Sequence, residues 1–316
     1  MEEGKGLCYD RKKCRWGENM DKGKLKEAAI HGTAGFPLAV YRQEKDEPFI
    51  VKLHWHEETE IIFFKKGRFN VEVNMKKYKV QAPSFFFIGS GDIHSIYGET
   101  GCLESAVVFD MKMLSFEDFD GVQSEMIRPL LDRTVQFPPQ LTQEDGIWQE
   151  IEGLYQKILS LGELDNLASR LRVKAYLYEM LACFYESGSL KNMENAREYD
   201  SEKIENIKKV LGFIHENCGS RITIKELAEM LRMNEQYFCR YFKKIMGKKP
   251  TEYINEVRIE KAAGYLQQSG RKIIDIAMEC GYDNMGYFIK RFKEQKGMLP
   301  SEYRRKSQNS IISGQN

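Results

Sequence analysis

The chain has 316 residues, with 48 Lys and Arg against 47 Asp and Glu and a formal net charge of +1. Apolar content of 42% and charged content of 30% are those of a folded globular protein, and they exclude a collagenous, low-complexity or wholly disordered chain. The near-zero total hides an asymmetry: residues 201–316 hold 22 Lys and Arg against 14 Asp and Glu, a net of +8, so the front of the chain is acidic. A basic back half suits a nucleic-acid module joined to a part with a different task. The sequence has no apolar run long enough to cross a bilayer. The first thirty residues lack the apolar core of a signal peptide. Seven cysteines without a CxxC pair read as reduced thiols in a cytoplasm.

Residues 1–34 are polar, with Gly and Lys throughout, and are expected to form a flexible arm. From Phe36 the pattern changes to short β-like runs: LAVYR, FIVKLHWH, EIIFFKKG, RFNVEVNM, PSFFFIGSG and SAVVFDM. Such runs predict a sandwich or barrel over residues 35–140. Within it stand His54, His56 and Glu60, followed later by Gly91-x2-His94. Alternate residues of a strand share a face, so His54, His56 and Glu60 are expected to point the same way. If that face is the interior, three imidazole nitrogens and a carboxylate oxygen converge, a set that suits Zn, Fe, Mn or Ni. The same four residues also fit a metal-free effector pocket in which they serve as hydrogen-bonding groups. Trp55 and the many phenylalanines of the block are expected mostly as core.

The two histidine-bearing stretches resemble the sequence motifs of the cupin barrel. Cupins include metal-dependent oxygenases, isomerases and decarboxylases. A metalloenzyme or metal sensor using His54, His56, Glu60 and His94 is therefore the alternative to an effector pocket.

Residues 141–187 predict two amphipathic helices. The first places Ile147, Ile151, Leu154, Ile158 and Leu161 on one face. The second places Leu167, Leu171, Ala175, Tyr178, Leu181 and Ala182 on one face. The apolar faces of the two helices suit packing on the barrel. Residues 188–203 are polar and read as a linker.

Residues 222–303 contain one pattern written twice. Tyr237-Phe238 matches Tyr287-Phe288, Arg240 matches Lys290, Gly247 matches Gly297, and Glu252-Tyr253 matches Glu302-Tyr303, each 50 positions apart. A fixed internal period is a fold-level signal. Each copy reads as helix, tight turn, helix. Thr223 with Glu226 predicts a capping box at the first start, and Gly247 predicts a helix end. The outward positions of the second helix are polar and basic, the layout of a helix-turn-helix that offers side chains to the major groove.

Residues 204–306 are identified, on the LAEMLRMNEQYFCRYFKK and IAMECGYDNMGYFIKRFKEQKGMLPSEYR stretches and the helix that joins them, as similar to the DNA-binding domain of the AraC/XylS family of bacterial transcription regulators. The resemblance implies an α+β multidomain fold: an N-terminal cupin-like β-barrel with flanking helices, then an all-α domain of two helix-turn-helix units joined by a helix. It implies no catalytic residues. DNA contacts would fall to Gln236, Cys239, Arg240 and Lys243 in the first unit, and to Asn284, Met285, Gly286, Lys290 and Lys293 in the second. The expected partners are double-stranded DNA, a small-molecule effector and a second copy of the chain, with RNA polymerase as a candidate. The resemblance to AraC-type regulators also implies a dimer contact for the two helices of residues 141–187, the alternative to packing on the barrel. Any cofactor would be a divalent metal in the barrel. Met285 and Gly286 supply no hydrogen-bonding side chain, and Lys272 is a poor cap. The first unit is therefore expected to read bases and the second to hold phosphates. Residues 307–316 are read as a disordered tail.

Overall fold

The computed structural model describes residues 25–27, 31–33, 35–44, 48–118, 120–162, 164, 166–193, 197–268 and 270–313. The region read as an arm lies mostly outside them. The described chain divides into two compact units: Glu27 to Asp200 belong to the first, and Leu25, Lys26 and the residues from Ser201 onward to the second.

The first unit is an antiparallel β-sandwich. Its strands are β1 (Leu38–Glu44), β2 (Phe49–His54), β3 (Thr59–Lys66), β4 (Arg68–Val73), β5 (Lys76–Gln81), β6 (Ser84–Ile88), β7 (His94–Gly98) and β8 (Leu103–Phe109). A short helix α1 (Arg128–Leu131) and two brief strands, β9 (Val135–Gln136) and β10 (Gln140–Thr142), follow. One sheet has the order β1-β8-β3-β6-β10 and the other β2-β7-β4-β5. The two face each other across Phe49, Val51, Phe69, Val71 and Ile96 from one side and Ile62, Phe64, Phe86, Ile88 and Ala106 from the other. The opposite face of the five-stranded sheet is also buried. There Ile61, Phe63, Phe85, Phe87 and Val107 pack under α2 (Trp148–Leu161) and α3 (Leu167–Glu186). Burial on both faces explains why β3 and β6 read as unbroken apolar runs and not as alternation. Phe63 and Phe85, paired across the strands, stack with ring centroids 4.6 Å apart.

Helix α2 buries Ile151, Leu154 and Ile158 as its spacing predicts, and adds Trp148, Tyr155 and Leu159. Helix α3 divides the face that spacing picks out, burying Leu181 and leaving Leu167, Leu171 and Ala175 exposed. It turns Val173, Leu177, Met180, Leu181 and Phe184 inward, while Leu167 and Leu171 are 81% and 70% exposed. Apolar residues surround this helix, so spacing alone could not choose the buried side. Arg42 Nη2 donates to the Leu159 carbonyl at 2.8 Å, and Tyr178 Oη donates to the Leu114 carbonyl at 3.0 Å, tying both helices to the sandwich.

A two-residue strand β11 (Lys191–Asn192) pairs with β9 inside the stretch read as a linker, and α4 (Arg197–Asn217) begins inside it too. The second unit continues with α5 (Ile224–Met230), α6 (Glu235–Met246), α7 (Pro250–Gln268), α8 (Ile273–Glu279), α9 (Met285–Lys296) and α10 (Pro300–Ser313). Helix α10 runs through most of the stretch read as a tail. The repeat appears as matched caps. Asn234 and Asn284 each accept from the backbone N–H three residues on, at 2.8 Å. Gly247 and Gly297 end α6 and α9 in the left-handed conformation, φ +69° and +72°, where a Cβ is disfavoured. Phe238, Phe242, Phe288 and Phe292 are fully buried and set the inner faces of α6 and α9. Among the described residues, no helix is long and apolar enough to cross a membrane.

Candidate functional site

His54, His56, Glu60 and His94 meet at one end of the space between the sheets, all at least nine-tenths buried. They do so by a route the alternation rule does not describe. Register slips between Val51 and His54, where β2 takes an extra residue against β7. That bulge reverses the parity of the strand, so His54 faces inward with Phe49 and Val51 although it is an odd step away. His56 lies beyond the strand, and its carbonyl accepts from Gly91 N–H at 2.7 Å. Gly91 holds that turn at φ +72°. Glu60 comes from β3 in the other sheet. His94 opens β7 directly opposite His54, with ring centroids 4.2 Å apart.

The hydrogen bonds decide what these groups offer. His54 Nδ1 donates to the Lys52 carbonyl at 2.8 Å, His56 Nδ1 to that of Glu58 at 3.1 Å, and His94 Nδ1 to that of Asp92 at 2.9 Å. A carbonyl only accepts, so each neutral ring carries its lone pair on Nε2. Ligand atoms of the three rings lie within 4.8 Å of one another. Glu60 Oε2 stands 3.5 Å from His56 Nε2 and 3.4 Å from His94 Nε2. Neither Glu60 oxygen has a hydrogen-bond partner, nor do His56 Nε2 and His94 Nε2. Buried polar atoms left this way are costly unless something binds them. Burial alone would raise the Glu60 carboxyl, but His56 and His94 hold it down at about 2. Burial is the main cause that pushes the His94 imidazole down to about 4. The three imidazoles are the group whose ligand atoms all come within 4.8 Å of one another, and the Glu60 carboxylate stands beside two of them; donors of these types suit a transition metal.

Two further residues join the cluster. Glu27 Oε2 lies 3.3 Å from His54 Nε2 and 3.6 Å from His31 Nε2, and Glu27 N–H donates to the Trp55 carbonyl at 2.9 Å. His31 is buried, and its Nδ1 lies 2.7 Å from Tyr41 Oη. Sequence reasoning passed over Glu27 and took His31 as an isolated, structural or exposed residue, because both precede the first strand. The phenylalanines supply no polar group. Phe64, Phe69 and Phe86 fill the interior, and Phe63, Phe85 and Phe87 face the helices, as expected of core.

In the second unit α6 exposes Gln236, Arg240 and Lys243, with Cys239 half-buried beside them. Helix α9 exposes Gly286, Lys290 and Lys293. Two expectations change here. Asn284 caps α9, so its Oδ1 is occupied by Tyr287 N–H. Met285 is half-buried and packs against Phe288, Phe292 and their neighbours. The structure adds a matched pair, Tyr237 and Tyr287, 48% and 42% exposed on the two helices. Their place beside Phe238 and Phe288 in the repeat is the signal that could have found them. Lys272 caps α8 with no side-chain bond, as its type implies, whereas Thr223 and Glu226 form the complete box.

Comparison with known proteins agrees with both parts. The family description "AraC-like ligand binding domain" matches residues 37–181, and "Helix-turn-helix domain" matches residues 227–306. The helix-turn-helix-type transcriptional regulator YdeC of Bacillus subtilis (strain 168) is 26% identical over 295 residues, covering 89% of this chain and 96% of that protein. The melibiose operon regulatory protein of Escherichia coli (strain K12) is 24% identical over 287 residues, covering 86% and 92%. Among solved structures, the apo form of a ToxT variant from Vibrio cholerae matches 87% of this chain and 98% of its own at 16% identity, with a TM-score of 0.41.

Proposed function

We propose that this chain, which belongs to the AraC family of DNA-binding transcription regulators, is a cytoplasmic, dimeric regulator whose sandwich binds a small-molecule effector, a sugar or metabolite, beside a divalent transition metal. The observation that carries the effector site is the unpartnered Glu60 carboxylate among imidazole lone pairs, in an interior otherwise packed with phenylalanine. His54, His56, His94 and Glu60 would hold the metal. Bound there, it would supply a Lewis-acidic anchor for an oxygen-bearing effector. The carbonyls of Lys52, Glu58 and Asp92 fix the ring orientations in advance.

On DNA, Gln236 and Arg240 read base edges, while Lys243, Lys290 and Lys293 contact phosphates. The dimer forms through the exposed side of α3, where Leu167, Leu171 and Ala175 recur at helical spacing. A dimer presents four reading helices to two half-sites. The effector acts by preferring one arrangement of the dimer on DNA, since a ligand with no preference transmits nothing.

The test is selection of binding sites from random duplexes by the full-length protein, followed by affinity at fixed salt with Zn2+ loaded or chelated. A selected site should bind about 1,000-fold or more above scrambled DNA, and His54→Ala/His56→Ala should remove the metal dependence. Equal affinity for selected and scrambled duplexes would instead describe a nonspecific nucleoid protein. Sedimentation equilibrium of Leu167→Glu/Leu171→Glu should show a monomer where the wild type is a dimer.

A further inference from the structure

Arg133, just past α1, holds φ +59°, a left-handed conformation that a side chain makes costly unless its surroundings fix it. Its guanidinium shows what fixes it: Nη2 donates to Asp92 Oδ1. Asp92 is buried in the turn between β6 and β7, two residues before His94. Its carboxylate gathers that turn. Oδ2 accepts from Gly89 N–H at 3.0 Å, and Oδ1 also accepts from Asn74 Nδ2 at 2.9 Å. Asn74, in the β4–β5 turn, accepts in its own right from Ile93 N–H at 3.1 Å. The Asp92 carbonyl takes the bond from His94 Nδ1 at 2.9 Å. One carboxylate therefore joins three loops, and its own backbone sets the ring of His94. A buried carboxylate needs a compensating cation, and Arg133 supplies it.

On its other side Arg133 adjoins the strand pair from which the chain leaves the sandwich. The carbonyl of Thr134 accepts from Met193 N–H at 2.9 Å. In β9 and β11, Val135 stands opposite Asn192 and Gln136 opposite Lys191. From Met193 the chain runs on to α4. We propose that Arg133 is a positioning residue for the turn that carries His94, and that its ion pair with Asp92 couples that turn to the β9–β11 pair. The inference rests on the reading of the histidine cluster as an effector site, and gives that site a way out. An effector that shifts His94 shifts Asp92, and Asp92 holds Arg133. Backbone strain makes the joint cooperative. When the ion pair opens, Arg133 loses what fixes φ +59° and relaxes, and the peptide that carries the Thr134 carbonyl turns with it. The bond to Met193 is then lost together with the ion pair. Coupling of this kind is reciprocal, so loosening β11 also loosens the turn.

The experiment is backbone hydrogen exchange of the full-length protein, resolved by residue, with thermal unfolding to confirm that each variant folds. Asp92→Asn should speed exchange at Met193 by about tenfold or more. Met193→Pro, which removes the donor to Thr134, should speed exchange at Gly89 and Ile93. Arg133→Gly separates the ion pair from the strain, because glycine holds a positive φ unaided. It should loosen Ile93 and leave Met193 protected, and Asp92→Asn added to it should then have no effect at Met193. Arg133→Lys, which keeps a cation, should recover most of the protection at Ile93. Should Asp92→Asn fail to fold, Asn74→Gly, which keeps the turn and removes the amide, makes the same test. Met193 exchange that ignores Asp92→Asn, or that responds equally with Arg133 or glycine in place, would overturn the inference. Zn2+ added to the wild type tests the effector site separately. A change at Ile93 and Met193 together supports the coupling, and a change at Ile93 alone overturns it. A change at neither, with the variants still coupled, removes the metal reading and leaves the joint standing.

Discussion

The two helix-turn-helix units are copies in outline and differ in what holds them. In the first, the Thr223 hydroxyl and the Glu226 carboxylate cap the leading helix from both directions. In the second, Lys272 sits at the same place and caps nothing. The first reading helix presents Gln236, Arg240, Lys243 and Lys244. The second presents Gly286 where a recognition side chain would stand, and its Arg291 is turned to Tyr287 and Glu294. The tyrosine after each unit differs as well. Tyr253 bonds His215 Nε2 at 2.9 Å, whereas Tyr303 accepts from the amide of Gln267 at 2.9 Å. These differences support the proposed division, in which the first unit reads bases and the second holds phosphates. Duplication thus preserved the core phenylalanines and left the surface free to divide the task.

The sharpest way to break this contrast is to remove the reader. Arg240→Ala should cost roughly 1 to 3 kcal/mol at its own base step. Binding to single-base variants of the selected site should become indifferent at that position. Lys290→Ala should leave the base preference in place, and a loss of preference there would reverse the assignment of roles.

Acid should also separate the two units. Burial lowers the His215 imidazole to about 4. The unfolded chain therefore takes up its proton first, near the ordinary 6.5. Stability is full above that value and falls as pH drops from about 6.5 toward 4. The cost should reach about 1 to 2 kcal/mol by about pH 5. Hydrogen exchange should show α4 and the start of α7 opening before α9 and α10, and His215→Gln should flatten the trend.

Capping comes next in size. Thr223→Ala should destabilise α5 by about 1 kcal/mol, and Lys272→Asp should stabilise α8 by a similar or smaller amount. Local exchange rates in the two helices would then converge. The smallest effect is expected for Lys293→Ala. It should weaken all duplexes alike, by about 0.5 to 1 kcal/mol, and lower the slope of affinity against salt by about 1.

Much of this was legible in the chain because the signals were local. The repeat shows in Tyr237-Phe238 and Tyr287-Phe288, and caps such as Thr223 act within three residues. The four-residue cluster was legible as composition, but not as geometry. Nothing in FIVKLHWH marks the extra residue between Val51 and His54, since a bulge is defined by its partner strand. Glu27 and His31 lie in a charged, glycine-containing stretch where one more acid or imidazole carries no pattern. Spacing could not divide α3, because Leu167 and Leu171 are as apolar as Val173 and Leu177, and only the sheet beneath decides which pair is covered. Met285 escapes the sequence for a similar reason: the first position of a helix can turn to either side, and here the core of α8 and α9 took it.

The connecting helix α7 has 19 residues. At 1.5 Å per residue it spans about 28 Å, close to the roughly 34 Å that one turn of duplex occupies. A rigid strut of that length acts as a ruler. On the proposed reading it would let both heads address the same side of the double helix, one turn apart, and would forbid the protein from following a change of phase. Five base pairs inserted between the two boxes would carry one of them to the far side, beyond the reach of its head. On that reading, spacing between the two boxes would be as much a part of the operator as its letters.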